Sequence, residues 1–159
     1  METTGGFTSV QLLEHEAVSA LEQLDQSKAI EIGSAAVEMA TSRNYPVTIM
    51  IELDGTEVFR KTVDGDADEH AGWIARKLNV VNLTHHSTMY ERVKSEEDEI
   101  DWHAKHGVVD ETHEIHGGGF PLMTTDGTFR GVFLVSGLPQ VEDHLFAVEV
   151  LKGFGHGNS

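Results

Sequence analysis

The chain has 159 residues, 39% of them hydrophobic, which is enough for one domain with its own core. Its 27 acidic and 11 basic residues give a formal charge of −16, which disfavours nucleic acid and anionic membranes as partners. The chain has no cysteine, so disulfides, thiolate metal sites and thiol nucleophiles are excluded. No signal-peptide pattern and no apolar stretch of about 20 residues is visible, so we expect a cytoplasmic protein.

The first 45 residues predict two helices. Thr8 and Gln11 have the spacing of a capping box, and apolar residues recur at helical spacing after them. A second apolar stripe, rich in small side chains, is expected to end by Asn44. The reason is that the residue before Pro46 is pushed out of the helical conformation.

Two β-hairpins are predicted from two pairs of β-branched or alternating segments. Each pair flanks an Asp-Gly dipeptide, which is the strongest short-range signal for a hairpin. The first pair comprises residues 47–53 and 57–63 around Asp54-Gly55, and the second comprises residues 120–123 and 129–135 around Asp126-Gly127. An antiparallel sheet is therefore expected.

The segment between the hairpins is predicted to be mainly helical. One helix should carry Trp73 near its start, and another helical segment should follow His86. Residues 95–105 are expected to form an acidic helix, with Ser95 as its N-cap and Gly107 just beyond its end.

Two further helices complete the prediction. A short helix capped by Asp110 should end at His116, and a last helix should begin near Pro139. Three residues of the last helix are expected to face inward: Val141, Leu145 and Val148. The order of elements predicts a single α+β domain over residues 1–159, with a core of about 8–153 and an antiparallel sheet flanked by helices.

Three successive glycines, Gly117, Gly118 and Gly119, lie between His116 and Phe120. Glycine permits backbone angles barred to other residues, so a ligand or a second subunit could approach this segment closely. Successive N–H groups in such a loop could also hold an anion. The alternative is a helix end and a bulged strand entry, with His116 simply hydrogen-bonded.

The ten histidines include two pairs spaced three residues apart, so the members of a pair could share a helix face. Two imidazoles and a carboxylate could hold zinc or iron without cysteine. The alternative is that most of these histidines lie on the surface of a soluble acidic helix. The pairs are His103 with His106 and His113 with His116, and the candidate carboxylates are Glu111 and Glu114.

Arg76, Lys77 and Asn79 form a compact basic and polar group on the helix of Trp73. They could receive a ligand's carboxylate, or they could form ion pairs with acidic residues across a subunit interface. Asp143 and His144 are neighbours in a helix and point about 100° apart, so they cannot pair with each other. Asp143 is explained more simply as an acid near a helix N-terminus.

Five motifs in this chain occur together, in the same order and at similar distances, in one known family. They are WIARKLNVV at 73–81, HS at 86–87, HGGGFP at 116–121, VSGLPQ at 135–140 and EDH at 142–144. From about Leu12 to Lys152 the chain resembles the short cytosolic branch of the GlcG/HbpS-like superfamily, also called the haem-degrading-domain or PduO C-terminal-like family. The resemblance implies a profilin-like α+β domain that assembles into dimers or larger homo-oligomers, and it implies haem as a candidate cofactor.

Three functions remain open on this basis, and the sequence does not decide whether the protein is an enzyme. The first is binding of haem, another tetrapyrrole or a small anionic ligand in an apolar slot formed by Trp73, Phe120 and Tyr90. The second is a non-enzymatic oligomeric scaffold, and the third is a metal-dependent enzyme using histidine and carboxylate ligands. The candidate ligand-binding residues are His116, Gly117, Gly118, Gly119, Phe120, Trp73, Arg76, Lys77 and His86.

Overall fold

A computed structural model of the protein describes residues 4–155, which form six helices and four strands. In chain order these are α1 (Ser9–Val18), α2 (Gln26–Ser42), β1 (Thr48–Leu53), β2 (Thr56–Thr62), α3 (Ala67–Thr84), α4 (Thr88–Glu97), α5 (Trp102–His106), β3 (Gly119–Met123), β4 (Phe129–Ser136) and α6 (Gln140–Lys152). The predicted α+β class is confirmed. None of these helices is both long and apolar enough to cross a lipid bilayer.

The four strands form one antiparallel sheet in the order β2-β1-β4-β3. Both predicted hairpins are present, and their inner strands β1 and β4 pair with each other in the centre of the sheet. Ile51 of β1 lies between Phe59 of β2 and Phe133 of β4. The Asp54-Gly55 turn has positive φ at both residues, as the hairpin signal requires.

The sheet lies between two helical layers, because successive side chains of a strand point to opposite faces. Ile49 and Ile51 of β1 pack towards α2 and α6, whereas Met50 packs towards α3. The same alternation occurs in β4, where Phe133 joins the first layer and Leu134 joins the second. The central strands are therefore buried on both faces.

Side-chain caps define the starts of five helices. The capping box of Thr8 and Gln11 is present as predicted at the start of α1. An aspartate or serine side chain accepts a backbone N–H at the start of each of four further helices, which satisfies donors that have no partner within the helix. These capping residues are Asp25 for α2, Asp66 for α3, Ser87 for α4 and Asp101 for α5.

The prediction of one helix over residues 95–105 is wrong. Ser95 lies inside α4, and its hydroxyl donates to the Arg92 carbonyl. The chain leaves the helical conformation at Glu99, which has a φ of 54°, and Asp101 starts α5 by accepting the N–H of Ala104. Gly107 ends α5 in the left-handed conformation, as its position suggested.

The short helix predicted to end at His116 is also absent. Asp110, its predicted N-cap, does not cap a helix, and its carboxylate lies 2.9 Å from the His103 ring. In α6, Val148 is buried as expected, but Leu145 is 41% exposed. The inward face of this helix instead includes the polar residues Asp143 and His144, both fully buried.

His144 connects α6 to α1 through a hydrogen bond between two imidazoles. Its Nε2 lies 3.0 Å from Nδ1 of His15, and the rings of Phe7 and Phe120 pack around it. The second ring nitrogen of His144 is buried and has no hydrogen-bond partner among residues 4–155. Burial, assisted by the nearby His15, lowers the pKa of His144 to about 3, so this pair requires neutral rings.

We predict that His144 makes the fold sensitive to acid. Its pKa is about 3 in the folded state and 6.5 in the unfolded state, so its contribution to stability is complete above pH 6.5. The contribution is lost as the pH falls towards 3, by about 2 kcal/mol between pH 8 and pH 5. Urea unfolding of the wild type and the His144→Leu variant at each pH measures this contribution. The difference in unfolding free energy between the two should shrink on acidification, and a constant difference would contradict the prediction.

Candidate functional site

A cleft of about 400 Å³ lies at one end of the sheet, where β1 begins and β4 ends. Glu69, Trp73 and Lys77 are spaced by four residues in α3 and present one helix face to this cleft. The loop that joins β4 to α6, together with the first turn of α6, forms the opposite wall. The remaining lining residues are Pro46, His70, His116, Ser136, Gly137, Leu138, Pro139, Gln140 and Asp143.

At one wall of the cleft, the His116 ring packs on Trp73, with 4.8 Å between the ring centroids. The guanidinium of Arg76 lies 4.3 Å from the centroid of the same indole, so two of the chain's own groups contact Trp73. Burial lowers the pKa of His116 to about 4, and the positive charges of Arg92, Lys77 and Arg76 act in the same direction. His116 is therefore neutral at physiological pH.

At the bottom of the cleft, Lys77 and Asp143 form a buried ion pair with 3.3 Å between Nζ and Oδ2. The Lys77 ammonium also donates to the Val135 carbonyl, and the Leu138 N–H donates to the other Asp143 oxygen. Burial raises the pKa of Asp143 to about 6, although the Lys77 charge opposes the rise. Burial also lowers the pKa of Lys77, against the attraction of Asp143.

The three glycines beside the cleft are buried against the chain's own backbone and side chains. Gly118 has a φ of 126°, and a Cβ there would overlap the Val135 carbonyl and the Lys77 amine. A Cβ at Gly117 would overlap the Gln140 carbonyl. Close approach does explain these glycines. The sequence predicted that a ligand or a second subunit would approach them, but the groups that do so belong to β4, α3 and α6 of the same chain.

Two of the N–H groups proposed as an anion nest are already used within the chain. The Gly117 N–H donates to the side chain of Gln140, and the Gly119 N–H donates to the hydroxyl of Thr88. The triple glycine therefore positions His116 and the Lys77–Asp143 pair by close packing.

The structure does not bring Trp73, Phe120 and Tyr90 together in one slot. Phe120 is fully buried in the core between the sheet and α6, while Tyr90 packs near α1. His86, the other candidate histidine, stacks on Tyr90 and lies 3.0 Å from the Glu16 carboxylate. Phe120, Tyr90 and His86 do not line the cleft.

The histidine pairs do not form a metal centre. His103, His106 and His113 gather around Trp102, but the His103 ring is engaged by Asp110 and by the His113 carbonyl. Within residues 4–155, no three His, Asp or Glu side chains are arranged to hold a metal ion. Of the predicted set, His116 and Glu114 lie close together, with 3.5 Å between Nε2 and Oε1, but no second imidazole completes a metal site with them among the described residues.

Sequence reasoning missed the Lys77–Asp143 pair. It assigned Lys77 to a ligand or a subunit interface and Asp143 to the helix dipole, whereas the two residues meet inside one chain. One signal was available in the pattern of α6. Asp143 lies four residues before Ala147 and eight before Leu151, on a face that is otherwise apolar.

Comparison with known proteins identifies the family of this chain. Residues 24–152 match the family model described as "Haem degrading protein HbpS-like". The protein belongs to this HbpS-like family. The resemblance noted in the sequence is thereby confirmed, because the match covers most of the chain.

Relatives of this HbpS-like protein include a UPF0303 protein of Acidobacterium capsulatum, which is 32% identical over 136 residues, or 86% of this chain and 82% of the relative. Among solved structures, the Ybr137w protein is similar with a TM-score of 0.86 and 26% identity, over 96% of this chain and 90% of that one. The structure of a PduOC:haem complex shares the fold, with a TM-score of 0.66 and 21% identity over 80% and 92% of the two chains.

We predict that Gly118→Ala destabilises the HbpS-like protein much more than Gly127→Ala. Both glycines have positive φ, but a Cβ at Gly127 would meet nothing within 4 Å. Backbone strain should cost about 1–2 kcal/mol at Gly127. Overlap with Val135 and Lys77 should add roughly 1–3 kcal/mol at Gly118. Urea unfolding measures both values, and equal losses would show that Gly118 is not held by close packing.

Proposed function

We propose that the protein is a cytoplasmic homo-oligomer that binds haem, or another small anionic ligand, in the cleft beside Trp73 and His116. The observation that carries the proposal is the His116 imidazole packed on Trp73 at the wall of this cleft, where burial lowers the pKa of the ring and favours its neutral form. Haem iron accepts a neutral imidazole, and a protonated one has no lone pair to offer. The membership of the HbpS-like family supports the same ligand.

The residues of the cleft fit a haem group in two respects. His116 would supply the nitrogen ligand for the iron, and Trp73, Leu138 and Pro139 would supply apolar surface for the ring. Bound haem would bring an iron centre capable of electron transfer, while the protein supplies binding and orientation. The likeness to the PduOC:haem complex supports a haem site on this fold.

Of the two cations that the sequence offered for a ligand's carboxylate, Arg76 fits better than Lys77. The Lys77 charge is already compensated by Asp143 at the bottom of the cleft. The Arg76 guanidinium stacks on Trp73, and its Nε donates to the Gly72 carbonyl. No ion pair joins Arg76 to an acidic side chain among residues 4–155, so its charge is available to a propionate or a similar group.

We predict that titration of the purified protein with haem produces a sharp Soret band, which reports coordinated haem. His116→Ala should weaken binding by about tenfold or more because it removes the iron ligand. His86→Ala is the matched control, since His86 was a candidate in the sequence but lies outside the cleft. A spectrum identical to that of free haem would contradict the proposal. Loss of the band in His86→Ala alone would show that haem binds near His86 and not in the cleft.

Self-association is the second part of the proposal. Several large apolar side chains are exposed, among them Val10 and Leu13 on α1 and Leu145 on α6. Lys77 was also expected at a subunit interface, but it is buried within the chain. Arg76 therefore remains the candidate interface cation on α3.

We predict that the oligomer becomes more stable as the salt concentration rises. A protomer with a charge of −16 repels its copies, and salt screens that repulsion while leaving apolar contacts intact. Light scattering after size exclusion at low and high sodium chloride measures the mass. Progressive dissociation with rising salt would contradict the prediction.

The Arg76→Ala variant tests the scaffold function. If this variant is monomeric and the wild type binds no detectable ligand, the scaffold function is favoured.

A further inference from the structure

The amine of Lys77 is an unusual group to find at the bottom of a cleft. The residue is only 2% exposed, and the Nζ atom is held by one carboxylate and one backbone carbonyl. Gly118 lies directly against this atom, since a Cβ on Gly118 would stand 2.8 Å from Nζ. Lys77 and Asp143 nevertheless both belong to the lining of the cleft, so their ion pair is the part of its floor that a bound small molecule would meet.

We propose that Lys77 is a carbonyl-binding amine, which forms an imine with a small aldehyde or 2-oxo acid that enters the cleft. Imine formation uses the amine at the bottom of the cleft, whereas haem binding would use the imidazole at its wall, so the two ligands would compete for one cleft. Buried lysines serve in this way elsewhere because desolvation favours the neutral, nucleophilic amine over the ammonium ion.

The surroundings of Lys77 reduce the free-energy cost of forming the neutral amine from the ion pair, and they also provide a proton acceptor. Burial disfavours the charged forms of both partners, which lowers the pKa of Lys77 and raises that of Asp143. The proton that leaves the amine can be accepted by the Asp143 carboxylate, whose Oδ2 lies 3.3 Å away. The transfer leaves two neutral groups in a buried site, where separated charges are costly.

The chemistry balances without an oxidant or a reductant. The Nζ lone pair attacks the carbonyl carbon, the C=O π pair moves to the oxygen, and a proton passes from the nitrogen to that oxygen, which gives a neutral carbinolamine. Asp143, once protonated by the amine, gives its proton to the carbinolamine hydroxyl, and the nitrogen lone pair forms the C=N bond as the C–O bond breaks and water leaves. The product is a protonated imine paired with the Asp143 carboxylate, and addition of water reverses the reaction.

The other cleft residues suit a compact carbonyl compound. Ser136 and Gln140 line the same cleft, and their polar side chains can hydrogen-bond a carbonyl or hydroxyl oxygen. Arg76 is not among the lining residues, but its guanidinium stacks on Trp73 at the wall of the cleft and adds positive charge for the carboxylate of a 2-oxo acid. The volume of about 400 Å³ has room for a small carbonyl compound.

Reductive trapping tests this proposal in the full-length protein. Propionaldehyde and pyruvate are added in separate samples with cyanoborohydride at neutral pH, and peptide mapping by mass spectrometry locates the alkylated lysines. Lys77 should be alkylated by at least one probe about tenfold faster than the exposed Lys94 and Lys105, in spite of its burial. Reaction with both probes, or with one alone, supports the amine site.

Two controls separate a reactive amine from general lysine labelling. In urea, where the cleft is lost, Lys77 should react no faster than the other lysines. Lys77→Arg keeps a cation for Asp143 but cannot form an imine, so its alkylation at residue 77 should disappear while Lys94 is unaffected. Lys105→Arg is the matched variant that should leave the Lys77 rate unchanged.

The proposal is overturned if Lys77 stays unmodified, or reacts no faster than Lys94, in the folded wild-type protein. That result needs no variant to fold, so it is decisive even if Lys77→Arg is unstable. The haem titration is read by a different signal, so failure of haem binding leaves the amine site open, and failure of trapping leaves the haem site open.

Discussion

The buried ion pair of Lys77 and Asp143 is the interaction on which the rest of this end of the molecule depends. It joins α3 to α6 across the end of β4, and both charges are almost completely removed from water. Loss of one partner would leave the other charge buried and uncompensated, which typically costs about 3–5 kcal/mol. The hydrogen bonds from Lys77 to Val135 and from Leu138 to Asp143 satisfy the remaining polar groups. The pair thus fixes how closely these elements approach.

The cleft residues follow from that close approach. Because Gly118 has no Cβ, the chain before β3 passes directly over the Lys77 amine, and this path places His116 against Trp73. The positive charge of Lys77 also helps to keep His116 neutral. The imidazole and the amine share one physical cause for their lowered pKa values, which is burial, partial for His116 and almost complete for Lys77.

Local signals predicted most of the fold. The two Asp-Gly turns identified both hairpins, and Thr8 with Gln11 identified the start of α1, because these features depend only on residues close in sequence. The break at Glu99 was missed because helix-favouring acidic residues surround it and Asp101 offers a competing cap. The Lys77–Asp143 contact joins residues 66 positions apart, so only the tertiary structure brings them together. The glycine triplet was recognised as a point of close approach, but the sequence did not reveal which groups approach.

Adjacent positions in α6, which point about 100° apart, contact different neighbours. Asp143 points to the cleft, whereas His144 bonds to His15 of α1. The first turn of α6 is consequently shared between the ligand side and the docking surface of the N-terminal helix. By thermodynamic linkage, any effect of cleft occupancy on the attachment of α1 is matched by an equal effect of that attachment on affinity in the cleft.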